Sequence, residues 1–404
     1  MVHRIFVFLL LLTWLPDLYI YCQLIKPRTS TFRKLRWLFW IPSIVLSLAL
    51  IGLMIGDNFT PQRVTLTGIY MIAYLSVVVP KCLFTLLSLS GKLFSLIGRI
   101  PPLYIIRKRP TEMIFNTIGL ISAFVGAYII LYGCIGGWRR FEVKEVSFYH
   151  PDIPEAFDGY RIAQISDFHI GTIAHYPNEI RRAIEIINAQ APNMIVFTGD
   201  LVNNEANELN DVEAILAELK APDGVFSVLG NHDYGSYRQW PTRQAKTNNM
   251  EDLKKRERMM GWTLLLNDNR IIHNGKDSIA ILGVENDGKP PFPALGDLPQ
   301  TTQGTDGMFK VLLSHDPSHW RRKVLPETDI QLTLSGHTHA MQFRLGNFSP
   351  SAWIYPEWGG LYTETDGRGL YVNTGLGSVM IPYRFGAWPE ISVITLRRKS
   401  DNQD

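Results

Sequence analysis

Cysteine is scarce in this chain, which limits the chemistry open to most of it. Only Cys22, Cys82 and Cys134 occur among 404 residues, and all three lie in apolar stretches of the first third. A disulfide framework and a zinc site of the cysteine type are therefore excluded from the rest of the chain. A metal bound there needs histidine, carboxylate or amide ligands.

Acidic residues are also scarce in the first 149 residues. That stretch carries 16 Lys and Arg against 5 Asp and Glu, a net charge of +11, whereas residues 150–404 carry 24 against 32, a net charge of −8. The overall +3 is thus the sum of a basic, apolar part and an acidic part. Because an acidic domain repels a polyanionic backbone, we expect no nucleic-acid partner, and a nuclease is disfavoured.

The first part has instead four long apolar runs, at about 2–22, 37–55, 66–89 and 113–135. Each is close to the roughly 20 residues with which a helix crosses a bilayer. The first run is long and lacks a small-residue cleavage site, which favours a retained helix over a signal peptide. We therefore predict an all-α membrane domain of about four transmembrane helices over 1–140, embedded in the lipid bilayer.

Basic residues between the runs predict the orientation of this domain. The loop after the first run carries Lys26, Arg28, Arg33, Lys34 and Arg36, and that after the third carries Lys92, Arg99, Arg107, Lys108 and Arg109. The loop after the second run has only Arg63. Because basic loops stay in the cytoplasm, we expect a multi-pass protein of the cell (inner) membrane whose residues 141–404 are extracytoplasmic. Arg139, Arg140 and Lys144 oppose this orientation.

Two charged residues, Asp17 and Lys81, fall within the apolar runs. A charge inside a bilayer costs several kcal/mol unless it faces the bundle interior, an interface or a partner. The two side chains can pair with each other, or each can reach the interface or pack separately. The sequence leaves both arrangements open.

From about residue 141, short strands alternate with amphipathic helices. Strands are predicted over 160–166, 194–198 and 225–229, with helices over 177–190 and 210–219 between them. This order predicts parallel strands whose C-terminal ends share one edge of a sheet, where ligands bind in α/β proteins. Further strands are predicted over 263–266, 270–273, 278–284, 309–314, 330–334, 369–373 and 391–396.

Candidate metal ligands follow five of these strands. They are Asp167, His169, Asp200, Asn231, His232, His315, His337 and His339. Each alone has an ordinary explanation, because Asp and Asn cap helices and a lone histidine is commonly a surface or core residue. The histidines of Gly336-His-Thr-His339, however, project to one side of an extended backbone, and Gly336 permits a sharp turn there. Together, at converging strand ends, these residues predict a metal site.

This ligand set suits the hydrolysis of a phosphate ester. Two divalent ions about 3.5–4 Å apart activate a water and stabilise the charge of an in-line displacement, and a bridging carboxylate spaces them. Asp, Asn and His ligands without thiolate fit Mn, Fe or Zn and leave the choice among them open. His232 can protonate the leaving oxygen, and Asp233 would fix its tautomer.

The motifs Asp-x-His, Gly-Asp, Gly-Asn-His-Asp, a strand-terminal His and Gly-His-x-His resemble those of the calcineurin-like metallophosphoesterase superfamily, over residues 143–396. Within it, the chain is similar to membrane phosphodiesterases of the YkuE and YaeI type. The resemblance implies an α/β fold, a four-layer αββα sandwich, as catalytic domain over 141–404. It assigns one metal to Asp167, His169 and His339, and the other to Asn231, His315 and His337. Asp200 would bridge them, and His232 would stand near the leaving group, oriented by Asp233.

Other residues bear on the substrate. Arg384 matches a position near the site in that superfamily, where it could hold a phosphate. Tyr234, with Tyr237 and Trp240, could line the mouth of the site. The stretch 343–362 is rich in aromatic residues and predicts either a packed hairpin core or an aromatic lip at a lipid surface. Relatives often carry two glycines where this chain has Ala340 and Met341.

The expected function is a membrane-anchored, dinuclear metal-dependent phosphoesterase. Its predicted substrate is a phosphodiester, pyrophosphate or phosphomonoester, either a phosphorylated lipid or a small phosphoester at the membrane surface, since tethering raises the local concentration of such a substrate. One alternative is a lipid A precursor pyrophosphatase of the UDP-2,3-diacylglucosamine type, which requires a cytoplasmic catalytic domain. An alternative of another class is a membrane transport or sensor protein with a metal-binding domain.

Overall fold

A computed structural model describes residues 2–26, 33–54, 61–97 and 108–399. The chain divides into two compact units between Ile135 and Gly136, a few residues before the predicted boundary at 140. Three of the basic residues that predict the orientation, Arg28, Arg99 and Arg107, lie outside the described ranges.

The first unit consists of helices. These are α1 (Val2–Ile20), α2 (Ile41–Met54), α3 (Pro61–Ile97) and α4 (Lys108–Ile135), with shorter helical turns over Tyr21–Ile25 and Arg33–Trp40. Four segments are long and apolar enough to cross a membrane, over Phe6–Ile25, Arg36–Met54, Leu66–Ile97 and Pro110–Arg139. The prediction of four spans is confirmed.

Packing inside this unit leaves most of its apolar surface outward. Leu46 and Leu50 of α2 are buried together with Tyr70, Tyr74 and Val78 of α3. Many other large apolar side chains are exposed, among them Leu15, Leu48 and Phe124. Helices whose apolar residues are not confined to an inner face need an apolar solvent, which a bilayer provides.

The two charges of the apolar runs pair with each other. Lys81 Nζ lies 2.7 Å from Asp17 Oδ1 and donates a hydrogen bond of 3.0 Å to Ser43 Oγ. Ser43 in turn donates to the other oxygen of Asp17, whose side chain is fully buried. This pairing links α1, α2 and α3 and satisfies the charges where water is excluded.

The second unit contains two six-stranded sheets. The first has the order β1-β12-β2-β3-β4-β5 and the second the order β10-β11-β9-β8-β7-β6. The strands of the first are β1 (Glu142–His150), β2 (Arg161–Ile165), β3 (Met194–Phe197), β4 (Val225–Ser227), β5 (Trp262–Leu264) and β12 (Glu390–Arg398). Those of the second are β6 (Asp268–Asn274), β7 (Asp277–Gly283), β8 (Phe309–Leu313), β9 (Leu332–Ser335), β10 (Gly360–Thr363) and β11 (Gly369–Val372).

Strand directions bring C-terminal ends together in each sheet. Strands β2 to β5 are parallel in sequence order, and β7, β8, β9 and β11 are parallel in the second sheet. Antiparallel neighbours occur where β12 meets β2 and at the edge strands β6 and β10. The predicted convergence of strand ends is therefore observed.

Helices cover the outer faces of both sheets. The two long ones are α5 (Pro177–Ala189) and α6 (Arg243–Met259). Short helices and helical turns lie over Gly137–Arg139, Glu155–Phe157, Ile170–Ile173, Ala206–Leu209, Glu213–Leu216, Leu298–Thr301, Trp320–Val324, Leu325–Glu327, His339–Gln342 and Pro350–Trp353. Separate buried apolar clusters lie between the first sheet and its helices, between the sheets, and outside the second sheet. The result is the expected four-layer αββα arrangement.

Candidate metal centre

The side chains predicted to bind metal meet at one edge of the two sheets. Asp167 and His169 follow β2, Asp200 follows β3, and Asn231 follows β4 in the first sheet, whereas His315 follows β8 and His337 and His339 follow β9 in the second. Five strands from both sheets thus contribute. All of these residues are buried except His337, which is partly buried.

The first group of potential ligands contains Asp167, His169 and His339. The two imidazoles approach each other through Nε2 atoms 3.0 Å apart, and His339 Nε2 lies 3.1 Å from Asp167 Oδ1. Around an ion with metal–nitrogen distances of about 2.1 Å, neighbouring ligand atoms lie roughly 3.0–3.4 Å apart. These separations fit three donors directed at one cation.

The second group contains Asn231, His315 and His337. Asn231 Oδ1 lies 3.1 Å from His315 Nε2, and His337 Nδ1 lies 3.3 Å from the same nitrogen. The donor atoms are an amide oxygen and two imidazole nitrogens, and no thiolate contributes. This set again suits a borderline divalent ion, without selecting among Mn, Fe and Zn.

Asp200 lies between the two groups. Its Oδ2 atom is 3.6 Å from His169 Nε2 and 3.2 Å from His315 Nε2. Its other oxygen, Oδ1, accepts a hydrogen bond of 2.8 Å from the backbone N–H of His232. The carboxylate is therefore held in the position expected of a bridge between two ions.

Backbone geometry marks the same residues. Asp167, His169, Asp200, His337 and His339 have φ angles of 53°, 47°, 61°, 72° and 50°. Positive φ is uncommon for residues other than glycine, and it is found where the surrounding structure imposes it at functional positions. Strain therefore coincides with the predicted ligands.

Gly336 acts through close approach rather than through a positive φ, which it does not have. A Cβ atom at this position would overlap Ser166 Oγ and the carboxylate of Asp167. The absence of a side chain allows β9 to come near enough to Asp167 for its carboxylate to accept the His337 N–H at 3.0 Å.

The second nitrogen of each imidazole is held by a partner outside the two groups. His169 Nδ1 lies 3.0 Å from Asn203 Oδ1, and His315 Nδ1 lies 2.7 Å from the Thr198 carbonyl oxygen. His337 Nε2 lies 2.7 Å from the hydroxyl of Tyr355. Such contacts fix which nitrogen faces the metal and how the ring is rotated.

The protonation of these groups also suits cation binding. Burial would raise the pKa of Asp167 and Asp200, but the neighbouring imidazoles hold both pKa values well below the usual range. Burial lowers the pKa of His169 and of His337, so both rings are neutral donors. Burial would also lower the pKa of His315, but Asp200 and Asp167 raise it to about 10, so a cation that bound there would have to displace a proton.

His232 stands beside the first group and lines the pocket above it. Its ring centroid lies 4.7 Å from that of His169, and Nδ1 lies 2.9 Å from the carbonyl oxygen of Asn203. Because Nδ1–H donates to a carbonyl, Nε2 is the nitrogen available to a substrate.

The predicted role of Asp233 as the partner of His232 is wrong. Asp233 is fully buried and accepts hydrogen bonds from the backbone N–H groups of Asp200, Leu201, Val202 and Gly230. Burial and the nearby carboxylate of Asp200 raise its pKa to about 7. Asp233 therefore shapes the turn that presents Asp200, and Asn203 takes the place predicted for it.

The two residues predicted to contact substrate do not line the pocket either. Arg384 is fully buried, donates to the carbonyl oxygens of Gly377 and Ala387, and lies 3.2 Å from His339 Nδ1. Tyr234 packs against the core, its hydroxyl accepting from the Asn286 N–H and lying 3.3 Å from Glu285 Oε1. Arg384 therefore contacts the proposed ligand His339, and Tyr234 contacts the loop at residues 285–286.

A pocket of about 550 Å³ opens over both groups of ligands. Its wall includes Asp200, Asn231, His232, Tyr237, Lys289, Pro290, Pro291, Phe292, His337, His339, Ile354, Tyr355 and Val379. Lys289 is the only Lys or Arg among these described lining residues, and it is exposed. The Tyr237 hydroxyl accepts from Asn231 Nδ2 at 2.8 Å, which turns the amide oxygen of Asn231 towards His315.

Sequence reasoning missed Asn203, Lys289 and the contact of Tyr355 with His337. Asn203 follows Gly199-Asp200 by a few residues, so its closeness to a motif was a usable signal. Lys289 lies in a Pro- and Gly-rich segment that predicts only a surface loop. Tyr355 lies in the aromatic-rich stretch 343–362, but no local pattern indicates its contact with His337, which lies 18 positions earlier in the chain.

The comparisons with known proteins define the class. Residues 160–341 match the family described as "Calcineurin-like phosphoesterase", and residues 3–138 match "Probable Calcineurin-like phosphoesterase, transmembrane domain". The chain belongs to the calcineurin-like phosphoesterase family and is a metallophosphoesterase with a membrane domain. Family membership favours an enzyme over a transport or sensor protein.

Individual relatives extend the comparison. The chain is 34% identical to "Uncharacterized metallophosphoesterase YkuE" of Bacillus subtilis (strain 168), over 61% of this chain and 82% of that protein. It is 27% identical to "Uncharacterized metallophosphoesterase Cj0846" of Campylobacter jejuni, over 99% and 100%. It is also 27% identical to "Transmembrane protein with metallophosphoesterase domain" of Danio rerio, over 69% and 62%.

Proposed function

We propose that this protein is a membrane-anchored phosphoesterase with two divalent metal ions. Asp167, His169 and His339 would hold one ion, and Asn231, His315 and His337 the other, with Asp200 bridging them. The observation that carries this proposal is the pair of buried ligand groups that share Asp200 beneath the pocket. Two divalent ions held by these residues would supply an activated water and would stabilise the charge that develops during an in-line displacement.

The protein's own residues supply the remaining functions. In its doubly protonated form, His232 would donate the proton of Nε2 to the leaving oxygen and become the neutral ring, while its Nδ1–H stays bonded to the carbonyl oxygen of Asn203. Lys289 is placed to attract the anionic phosphoester into the pocket. Tyr237 and Tyr355 keep Asn231 and His337 in their orientation and narrow the mouth.

The substrate proposed is a phosphodiester, pyrophosphate or phosphomonoester of a lipid or of another molecule at the membrane surface. Support comes from the four apolar helices in the same chain and from the short connection after α4, since only residues 136–141 separate Ile135 from Glu142. Six residues reach at most about 20 Å when extended. The catalytic unit is thus confined to the neighbourhood of a bilayer, where a surface substrate is locally concentrated.

Turnover by the detergent-solubilised full-length chain tests this function. We expect hydrolysis of bis-p-nitrophenyl phosphate in the presence of Mn²⁺, and release of phosphate or headgroup from a member of a phospholipid panel. His232→Ala should lower kcat by about 10²–10⁴-fold, the usual contribution of a positioned acid. The matched control is His273→Ala, which replaces an exposed histidine of β6 in the same unit.

The comparison of these variants has a clear negative outcome. If wild type and His232→Ala release product equally slowly from every substrate, while His273→Ala behaves like wild type, the pocket is not an active site and the proposal fails. If bis-p-nitrophenyl phosphate is cleaved but no phospholipid is, the phosphoesterase stands and the lipid substrate is rejected.

A further inference from the structure

Six large apolar side chains are exposed on the two segments that contribute Ile354 and Val379 to the pocket wall, and we call this set the apolar rim. It consists of Met341, Leu345, Phe348, Trp353, Ile354 and Met380, which are 42%, 64%, 45%, 78%, 57% and 62% exposed. Isolated apolar residues on a surface are ordinary, whereas a contiguous exposed group marks a binding surface. The aromatic-rich stretch 343–362 was predicted to be either a hairpin core or an aromatic lip, and it combines features of both. Phe348 and Trp353 are exposed, whereas the other aromatic residues of the stretch are half-buried.

The rim is continuous with the wall of the pocket. Ile354 lines the pocket directly, and Val379, the neighbour of Met380, lines it as well. The rings of Phe348 and Trp353 contact each other with centroids 5.7 Å apart. A molecule whose phosphate reaches the ligand groups therefore has the rim beside its remaining part.

The backbone beneath the rim is fixed by buried polar contacts. Ser349 is fully buried and donates to the Ala340 carbonyl oxygen at 2.6 Å. The side-chain oxygen of Gln342 accepts a hydrogen bond from the backbone N–H of Val379. The backbone carbonyl oxygen of Gln342 accepts from the N–H of Phe385 at 3.0 Å. These bonds join the segment around 340–354 to the segment around 379–385. The fold holds both apolar segments together at the surface.

The backbone after His339 adopts a strained conformation that leaves the side chain of Met341 exposed. Ala340, Met341 and Gln342 have φ angles of 49°, 48° and 57°, in the left-handed region that glycine occupies freely. Ala340 is buried by this turn, and Met341 is exposed. This chain thus keeps a strained turn that adds the side chain of Met341 to the rim.

Charge is consistent with a lipid surface. Residues 339–354 and 376–389 contain no Asp or Glu, although residues 150–404 as a whole carry a net charge of −8. Lys289 in the pocket wall and Arg344 beside Leu345 are basic. A domain that is acidic overall but has no acidic residue in the two segments that carry the apolar rim can approach an anionic bilayer with that surface.

From these observations we propose that the apolar rim docks into the interface of a lipid bilayer, so that a lipid's phosphate enters the pocket while its acyl chains lie against Trp353 and Ile354. Aromatic and long apolar side chains are favoured at that depth. The short connection after α4 keeps the unit that carries the rim within reach of the bilayer that the apolar helices would span. The lipid substrate rests on the proposed function, whereas docking itself needs no turnover.

A fluorescent probe measures docking in the full-length chain. Trp353→Cys carries a polarity-sensitive nitrobenzoxadiazole label, with Cys22, Cys82 and Cys134 replaced by serine, and is reconstituted into vesicles of phosphatidylcholine and phosphatidylglycerol. We expect a blue-shifted emission that doxyl-labelled lipids quench. The matched control is Met259→Cys, because Met259 is 67% exposed at the end of α6, outside the rim. It should give a water-like emission without quenching.

Two outcomes overturn docking. Emission at position 353 equal to that at position 259, unquenched by doxyl lipids, shows that the rim stays in water. A blue shift that disappears when the ratio of protein to lipid is lowered shows that another copy of the chain covers the rim. If the cysteine-free variant does not fold, the kinetic comparison below decides.

Kinetics separate docking from catalysis. The triple variant Leu345→Ser, Trp353→Ser, Met380→Ser should cleave bis-p-nitrophenyl phosphate at the wild-type rate, because none of the three side chains lines the pocket or belongs to the ligand groups. Phosphatidic acid in mixed micelles should inhibit the wild type at a concentration at least about tenfold lower than glycerol 3-phosphate does, and the triple variant should lose that preference. Equal preference in both proteins overturns the role of the rim, whereas absence of cleavage by the wild type overturns the proposed function.

Discussion

Asn203 controls two histidines from one position. Its side-chain oxygen holds Nδ1 of His169, and its backbone oxygen holds Nδ1 of His232. The turn around it is fixed by Glu208, whose carboxylate accepts from the N–H groups of Asn203, Asn204 and Glu205. One asparagine thus orients both a proposed ligand and the proposed acid.

Replacing Asn203 separates these roles. Asn203→Ala removes the contact to His169 but keeps the backbone oxygen that holds His232. We expect metal affinity to fall by about 10–100-fold, the usual loss when a partner of a ligating histidine is removed. Competition with a chelating dye measures it, with Asn207→Ala, at a nearby exposed asparagine, as control. Unchanged affinity in Asn203→Ala would remove Asn203 from the metal centre.

A buried carboxyl group elsewhere in the catalytic unit predicts a pH effect on stability. Glu257 of α6 is fully buried, accepts from Ser227 Oγ at 2.6 Å, and has a pKa raised to about 8 by burial and by Asp233. The folded state therefore binds more protons than the unfolded state between pH values of about 4.5 and 8. Stability should fall as the pH rises through this window, by up to about 1.4 kcal/mol per pH unit.

Glu257→Gln isolates this contribution. The amide cannot ionise. Between pH values of about 5 and 8, the unfolding temperature of the variant should therefore fall less than that of the wild type. Thermal unfolding in detergent, followed at both pH values, gives the comparison. Parallel losses in the two proteins would mean that Glu257 does not titrate in this window.

The site shows which residue roles can be read from a motif. Motifs at strand ends predicted the side chains that meet in the two groups of potential ligands, because parallel strands fix where their C-terminal ends lie. They did not give the direction of the neighbouring buried side chains. Asp233, Arg384 and Tyr234 turn away from the pocket to satisfy backbone and core partners, which depend on the whole fold.

At the scale of elements, the central strands were predictable, whereas one edge strand of each sheet was missed. Buried strands such as β3 and β8 are continuous apolar runs. β1 and β10 are edge strands with mostly exposed or half-buried residues, so they lack that signal. Helix α6 buries only Leu253 and Glu257, which leaves no apolar stripe to reveal it.

The ion pair between Asp17 and Lys81 should stabilise the membrane unit. Lys81→Met leaves Asp17 buried without its partner, and breaking a buried pair from one side costs about 3–5 kcal/mol. We expect a lower unfolding temperature in detergent. Asp17→Asn combined with Lys81→Met should recover part of the loss, because no unpaired charge remains. A double variant less stable than Lys81→Met would contradict a simple pair.

At the scale of the whole molecule, charge and hydropathy were readable because they are sums over many residues. They gave the two units, the four spans and the acidic catalytic part. The substrate was not readable in this way, since it depends on a few side chains such as Lys289 and Trp353 around one pocket.

Orientation in the membrane is a prediction at this scale. The basic loops after the first and third spans predict that the C-terminus lies outside the cytoplasm. Alkaline phosphatase fused after the last residue should therefore be active, while a cytoplasmic fluorescent reporter at the same place should be dark. The reverse result would overturn the orientation and favour the lipid A precursor pyrophosphatase, which acts on the cytoplasmic side.

Metal stoichiometry tests the central claim most directly. The full-length chain, purified in detergent, loaded with Mn²⁺ or Zn²⁺ and freed of excess ions, is analysed for metal content per chain, together with Asp200→Ala. The account predicts two bound ions in the wild type and a loss of metal in the variant, since Asp200 contacts both ligand groups. A wild type that retains no ion, or an Asp200→Ala protein that retains two, would contradict it.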